Sequence, residues 1–492
     1  MGTAPREDEV GGGPFDAEVS SGPVVARAFH RALAAIFCVA WLSLGWQVDV
    51  LVGSRGLLPA ATYLDAARVG GAGLGVLPTI FWLDASDAAL RAGIWTGGAL
   101  SLAALLGIAP RLCTGLATLL YLSYATAART FLSFQWDNLL LECGALAVFL
   151  PTDRPVRWIH LLFRLLLFKL YVESGIAKWQ SHLGDWQDGS AMTFYYETAP
   201  LPFWPAWYAH HLPVWWHHLE SRAVLVLEMG LPLLTFGPRG GRLLLFAALT
   251  GFQLLNLATA NYGFFVYLAL ALHLFLLSDA DLTSVLRRLP GWRPPARARP
   301  PSRGPTLRLA GALLVSATYV GLSITDALLT FAPLPAGATA TLARVAAVAT
   351  PWRLVNTYHL FGHITRERVE PQFEVESDGS WRRLALWHKP GDPTRAPDLV
   401  APHQPRVDFQ LWFYGLSFEN GTPAFVAALL DRLCHDPAAV QALFTTPLPE
   451  RPTAVRIAFE RYRFSDRAGN EATGAWWNTS PVAETRPVRC SP

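Results

Sequence analysis

Long apolar runs separated by short arginine-bearing loops restrict this chain to few folds, because a run of about 20 apolar residues is the length a helix needs to cross a bilayer. Nine such runs are read, at roughly 27–51, 87–108, 111–133, 137–151, 157–179, 221–237, 242–260, 262–279 and 307–330. Composition agrees. Of the 492 residues, 52% are hydrophobic and only 16% are charged, against about 25% charged in an average soluble protein. The expected fold class is a polytopic α-helical membrane bundle of about nine helices followed by a soluble α+β domain, with the lipid bilayer as its first partner. A net charge of +3 is too small to imply nucleic acid.

The loops set an orientation. Arg111, Arg154, Arg157, Arg239, Arg242 and the arginines of 280–308 fall on one side if the N-terminus is cytoplasmic, and positive charge favours that side. The opposite loops, 52–86, 134–136, 180–220 and 261, are long or aromatic and poor in basic charge. The expectation is therefore N-in and C-out. Arginine dominates lysine so strongly (only Lys169, Lys178 and Lys389 are lysines) that a GC-rich bacterial genome is the expected source. The location is then the bacterial inner membrane with a periplasmic C-terminal domain, or the endoplasmic reticulum membrane in a eukaryote.

The expected organisation is a disordered cytoplasmic tail at 1–24, a membrane helical domain at 25–280, a Pro/Arg-rich cytoplasmic linker at 281–306, a last membrane helix with an interfacial segment at 307–350, and an extracytoplasmic α+β domain at 351–492. Within that domain, 367–376 and 380–390 read as strands joined at Ser377-Asp378-Gly379, a hairpin signal. Residues 405–418 and 423–445 read as helices, and 453–465 as a further strand. The first apolar run has no small-residue cleavage site and reads as a retained helix. Cys434 and Cys490 can pair if their side is oxidising; the sequence leaves this open.

The polar residues of the apolar runs carry the functional question. An ionised side chain at the bilayer centre costs roughly 2.5–3.5 kcal/mol, so Asp137 and Glu142 must be paired, near an interface, or functional. Lys178 closes its helix five residues after Glu173. In a partly apolar setting it could act as a base, or it could snorkel or pair with Asp137 or Glu173. Glu228 needs a partner, with Arg164 or Lys169 expected, and Pro232 should kink its helix. His210, His211, His217 and His218 match no usual metal spacing, so neither metal nor cofactor is expected. GxSxG, P-loop, Rossmann and HExxH motifs are absent from the sequence.

Several segments together resemble the lipase maturation factor family. They are QWDNLLLE at 135–142, FRLLLFKLYVESGIAKW at 163–179, Trp186 with YETAPLP at 196–202, LEMGLPLLTFGPR at 227–239 and ANYGFF at 260–265. In the soluble part they are NTYHLFGHITRERVE at 356–370, QPRVDFQLWFYGL at 404–416, and RYRFSD with Trp476 and Trp477. His359 stands where that family usually has glycine, and Val407 and Phe409 replace leucine and tryptophan. The resemblance implies a non-enzymatic membrane protein that helps exported, lipase-like proteins fold or assemble. It carries over an outer-face cluster of Gln135, Trp136, Asp137, Asn138, Glu142, Glu173, Lys178, Trp186, Tyr196, Glu197, Asn261 and Tyr262, and domain residues Tyr358, Thr365, Arg368, Arg406, Asp408, Trp412, Tyr462 and Trp476. Trp381, Trp387, Trp412 and Arg406 would offer a client surface.

GIAKWQSHLGDWQDGSAM at 175–192 is similar, over Lys178, Trp186 and Gly189, to vitamin K-dependent gamma-carboxylase. That resemblance implies an alternative, a membrane-embedded enzyme binding a quinone or lipid. Lys178, Asp137 and Glu197 would be its catalytic candidates, in an outer pocket shared with Gln135 and Asn261. A transporter is disfavoured, because no paired Gly/Pro-broken helices occur in matching halves.

Overall fold

The computed structural model describes residues 22–288 and 306–490. Of the expected linker at 281–306, residues 289–305 lie outside the described residues, as does nearly all of the expected tail, while 281–286 belong to the helix Asp279–Leu286 instead of a linker. Each of the nine apolar runs contains helix: Pro23–Gly45, Asp87–Leu105, Pro110–Ala127, Gln135–Ala147, Arg157–Trp179, Val214–Leu225, Arg239–Thr259, Phe265–His273 and Thr306–Phe331. Among the described residues four stretches are long and apolar enough to cross a membrane by themselves: Pro23–Gly45, Asp87–Leu105, Arg239–Thr259 and Leu309–Phe331. A fifth is added if Phe265–Leu276 and Asp279–Leu286, bent by 116°, count as one. The expectation of about nine spans is not reached on this measure, for two physical reasons. Gln135–Ala147 has 13 residues, about 20 Å at 1.5 Å per residue. Arg157–Trp179 carries Arg164, Lys169, Glu173 and Lys178, all buried.

Helix ends follow local chemistry. Asp279 receives the backbone N–H groups of Gly22, Val24 and Val25 at 2.9–3.1 Å, so a carboxylate from another element caps the first helix and complements its dipole. Ser278 and Asp281 form a capping box. The irregularity expected at Pro232 takes the form of a π-helical turn at Val226–Gly230 followed by 3₁₀ helix at Leu231–Phe236, consistent with the N–H that proline lacks. Gly97 lets its helix rest on the Trp41 ring, where any Cβ would overlap the indole. Trp41 in turn meets Tyr121 and Tyr124 edge-on at 5.2 and 5.5 Å.

After Phe331 the helix Ala336–Ala349 has no buried residue. The chain then enters the bundle as a strap, about 353–362, whose partners are described below. The sheet that follows is antiparallel: β1 Arg368–Ser377, β2 Ser380–Leu384, β3 Ala454–Phe464, β4 Trp477–Glu484 and β5 Val488–Arg489, in the order β2-β1-β3-β4, with β5 also on β3. The β1–β2 turn places Asp378 and Gly379 at φ of +53° and +74°, the conformation that the Asp-Gly pair favours. β2 stops at Leu384, short of the expected 390, and the helix expected over 423–445 ends at His435 ahead of Pro437. Helices Arg406–Ser417 and Ala424–His435 pack on the sheet, with Val455, Ile457 and Phe459 buried.

Cys434 and Cys490 form a disulfide across a separation of 56 residues, tying the second of these helices to the end of the chain. Closing a loop of that size stabilises by about 2–4 kcal/mol. Cys434→Ser should therefore lower the melting temperature of the C-terminal part, and adding reductant should lower the wild type to the same value. Equal melting of oxidised and reduced wild type would refute this.

Candidate functional site

The polar residues of the apolar runs meet at one end of the bundle, and most of their partners come from the C-terminal part of the chain. Glu142 is completely buried. One of its oxygens takes Lys169 Nζ at 3.2 Å and Tyr319 Oη at 2.7 Å. The other takes Asn356 N at 3.1 Å, Asn356 Nδ2 at 3.0 Å and Tyr358 Oη at 2.7 Å. Five residues earlier on the same helix, Asp137 receives Arg406 Nη1 at 2.5 Å, Arg406 Nη2 at 2.8 Å and Tyr121 Oη at 2.6 Å. Both side chains of this two-pronged pair are at most 1% exposed. A charge buried so deeply is tolerable only when paired and hydrogen-bonded, as here.

The same pattern runs along the strap. Arg353 donates to Asn138 Oδ1 at 3.1 Å and to the Leu132 and Ala125 carbonyls. His359 N donates to Gln135 Oε1 at 2.9 Å, and Tyr358 N to Glu173 Oε2 at 2.8 Å. Lys178 donates to the Leu360 carbonyl at 2.7 Å and pairs with Glu228 at 2.7 Å over the Trp186 ring. The partner of Lys178 is thus neither Asp137 nor Glu173, and the partner of Glu228 is neither Arg164 nor Lys169.

A second set of contacts holds the domain from the side. Asn261 Oδ1 accepts from Val400 N and Ala401 N at 2.7 and 2.9 Å, while its Nδ2 donates to the Asp398 carbonyl at 2.8 Å. Glu197 accepts from Phe464 N at 2.6 Å. Arg368 donates to the Glu197, Ala199 and Pro200 carbonyls and pairs with Glu370, which also holds Lys389. Trp412 donates to the Thr198 carbonyl at 2.8 Å. Trp136 stacks on Phe134 and meets Phe409 edge-on. Trp476 packs against Trp207.

Other expected residues act within one part of the chain. Tyr196 donates to Glu220, Tyr262 bonds to Tyr195, Asp408 caps His388 N, and Tyr462 donates to the Gly391 carbonyl. Thr365 Oγ1 has no hydrogen-bond partner among the described residues. Of the residues proposed for a client surface, Arg406 is instead locked onto Asp137, while Trp387 is 49% exposed. Tyr121, Tyr319, Arg353 and Asn356 were not singled out from the sequence. Tyr319 is a hydroxyl inside an otherwise apolar span, and Asn356 opens the 356–370 block; these were the signals available.

Among the described residues, the cavity beside Lys178 does not join the residues of the alternative pocket. The cavity beside Lys178 has about 60 Å³ and is lined by Lys178, Glu228, Tyr171, Gln253, Tyr195 and Tyr262 among others, without Gln135, Asp137, Glu197 or Asn261. That is room for a few water molecules, far short of the roughly 300–1,000 Å³ of a ligand site. Among the described residues no three His, Cys, Asp or Glu side chains are grouped to hold a metal.

Histidines line the domain side of this seam. His403 bonds through Nδ1 to Ser43 Oγ at 3.0 Å and lies 5.8 Å, ring to ring, from His388. Burial first, then the neighbouring His388 and Arg406, holds His403 down at about 4. Burial also lowers His388, although Asp408 and Asp398 oppose it. A histidine whose folded pKa lies below its ordinary 6.5 takes up its proton preferentially when unfolded, so its neutral packing stabilises above 6.5 and is lost as pH falls toward 4. Protease cleavage between bundle and domain should accelerate between pH 6.5 and 4. His403→Gln should flatten that dependence, and an identical pH profile in the variant would count against the assignment.

A family model for the lipase maturation factor transmembrane domain matches residues 24–284, and one for the lipase maturation factor C-terminal domain matches residues 354–487. Lipase maturation factor 1 of Bos taurus is 30% identical over 491 residues, covering 91% of this chain and 85% of the relative. Lipase maturation factor 1 of Homo sapiens is 30% identical, covering 91% and 84%. Lipase maturation factor 2 of Gallus gallus is 29% identical, covering 94% and 80%. No solved structure matches the chain.

Proposed function

Because this chain belongs to the lipase maturation factor family, we propose that it is an integral membrane maturation factor that assists the folding or assembly of exported, lipase-like proteins. The observation that carries the reading is the latch. The catalytic candidates Asp137, Lys178 and Glu197 are engaged by Arg406, the Leu360 carbonyl and Phe464 N, and the buried Glu142 by Tyr358 and Asn356. A bundle that grips a folded domain in this way is an anchor presenting a rigid platform, and a platform is what a folding factor needs. Trp387, the most exposed of the four proposed contact residues, is the side chain best placed to meet a client.

The domain would face the oxidising side of the membrane, with the N-terminus cytoplasmic. The Cys434–Cys490 disulfide supports this side, as does the clustering of arginine in the opposite loops. In a bacterium that side is the periplasm.

The test is an exported lipase expressed with and without this protein, with its activity per molecule measured after export. Expected is a several-fold loss of specific activity without the protein, at unchanged lipase synthesis, and capture of the lipase by a photo-crosslinking residue at position 387. Equal specific activity in both strains would defeat the reading.

A further inference from the structure

One surface feature plays no part in the latch. Between the helices Pro23–Gly45 and Asp87–Leu105 runs an apolar groove of about 550 Å³. Its upper end lies at the seam with the C-terminal domain, because Trp46 there approaches the ring of His403 at 5.7 Å. Trp46 and Trp95 line that end and are 76% and 75% exposed, the placement of tryptophan at headgroup level. Arg91, also lining it, pairs with Asp49 at 3.0 Å, and both side chains remain more than half exposed. From Arg91 the groove descends past Gly98 to Leu102 on one helix and to Cys38 on the other. Arg91 to Leu102 spans about 16 Å of helix, close to half of the roughly 30 Å hydrocarbon thickness. Gly98 keeps the groove open, since nothing lies within 4 Å of where its Cβ would be.

We propose that this groove is a phospholipid site. It holds one acyl chain of a zwitterionic, ethanolamine-type phospholipid from the leaflet nearest the C-terminal domain. The headgroup lies over the Arg91–Asp49 pair, phosphate to the guanidinium and ammonium to the carboxylate. Three features point to this occupant. Both walls are helices long and apolar enough to span a membrane, so the bilayer is what lies outside them. The groove's length is that of one leaflet. The exposed cation and anion at its mouth complement a headgroup carrying both charges.

The experiment is native mass spectrometry of the full-length protein after incubation with dioleoyl phosphatidylethanolamine or dioleoyl phosphatidylglycerol. Expected is one retained phosphatidylethanolamine per chain, with phosphatidylglycerol retained at least several-fold less. Gly98→Trp, which enters open space, should reduce retention about tenfold or more. Asp49→Asn, which removes the carboxylate that meets the ammonium, should erase the preference between the two lipids. Ala99→Phe fills the same groove from the next position and decides the matter if the tryptophan variant fails to fold. Undiminished retention in a folded groove-filling variant, or equal retention of both lipids by the wild type, would overturn the proposal.

Discussion

Replacing Arg406 with alanine is expected to cost about 3–5 kcal/mol, because it leaves the fully buried Asp137 carboxylate without its counter-charge. The loss is set by the stranded partner more than by the bond itself. The double variant Asp137→Leu, Arg406→Met should therefore recover most of the stability, as apolar replacement of a buried pair is often neutral or better. Thermal unfolding of the detergent-solubilised protein, read by size-exclusion peak height, gives both values and their coupling. The comparison is Arg461→Ala on the sheet surface, where the guanidinium pairs with Glu367 and the two side chains are 35% and 47% exposed; about 1 kcal/mol or less is expected there. A melting temperature in Arg406→Ala no lower than in Arg461→Ala would mean that the Asp137–Arg406 pair does not hold the domain.

The second large effect lies at Glu142. Its two oxygens collect Lys169, Tyr319, Tyr358 and two groups of Asn356. Glu142→Gln removes the charge that holds Lys169, a lysine only 6% exposed, and turns two acceptors into one. A loss of about 3 kcal/mol is expected, concentrated on the strap. Hydrogen exchange of peptides covering 350–362 should accelerate at least tenfold in Glu142→Gln, while peptides from β1 and β3 change little. Uniform acceleration across the domain, or none, would mean that Glu142 does not hold the strap.

What the sequence made legible follows from which interactions are local. The β1–β2 hairpin could be read because Asp378-Gly379 fixes its turn within two residues. Asp137 and Glu142 could be singled out because an apolar run makes their cost evident. Their partners could not be read, because Arg406 lies 269 residues from Asp137 and Tyr358 lies 216 from Glu142. Lys178 illustrates the same limit at short range. Glu173, five residues before it, points about 140° away around a helix with 3.6 residues per turn, so the true partner had to come from another element and proved to be Glu228. β4 escaped notice because Asn478-Thr479-Ser480-Pro481 is polar and all but the first of its residues are exposed, so it lacks the alternation that marks β3. Apolar content marks more runs than pass on length and apolarity together, because a helix such as Gln135–Ala147 is short and packs its apolar residues against other helices.

The latch also has a consequence in time. Asp137 and Glu142 leave the ribosome long before Arg406 and Tyr358 exist. At 5–20 residues per second, the interval of 269 residues between Asp137 and Arg406 lasts roughly 10–50 s. During it Asp137 has only Tyr121, while Glu142 has Lys169 at first and gains Tyr319, Asn356 and Tyr358 as the chain lengthens. The bundle therefore passes through a period in which its most polar level is open toward the side where the later residues arrive, and closes only when the last third of the chain is complete. A premature stop anywhere before residue 406 would leave that level exposed, and such a fragment should be a preferred substrate for membrane proteolysis.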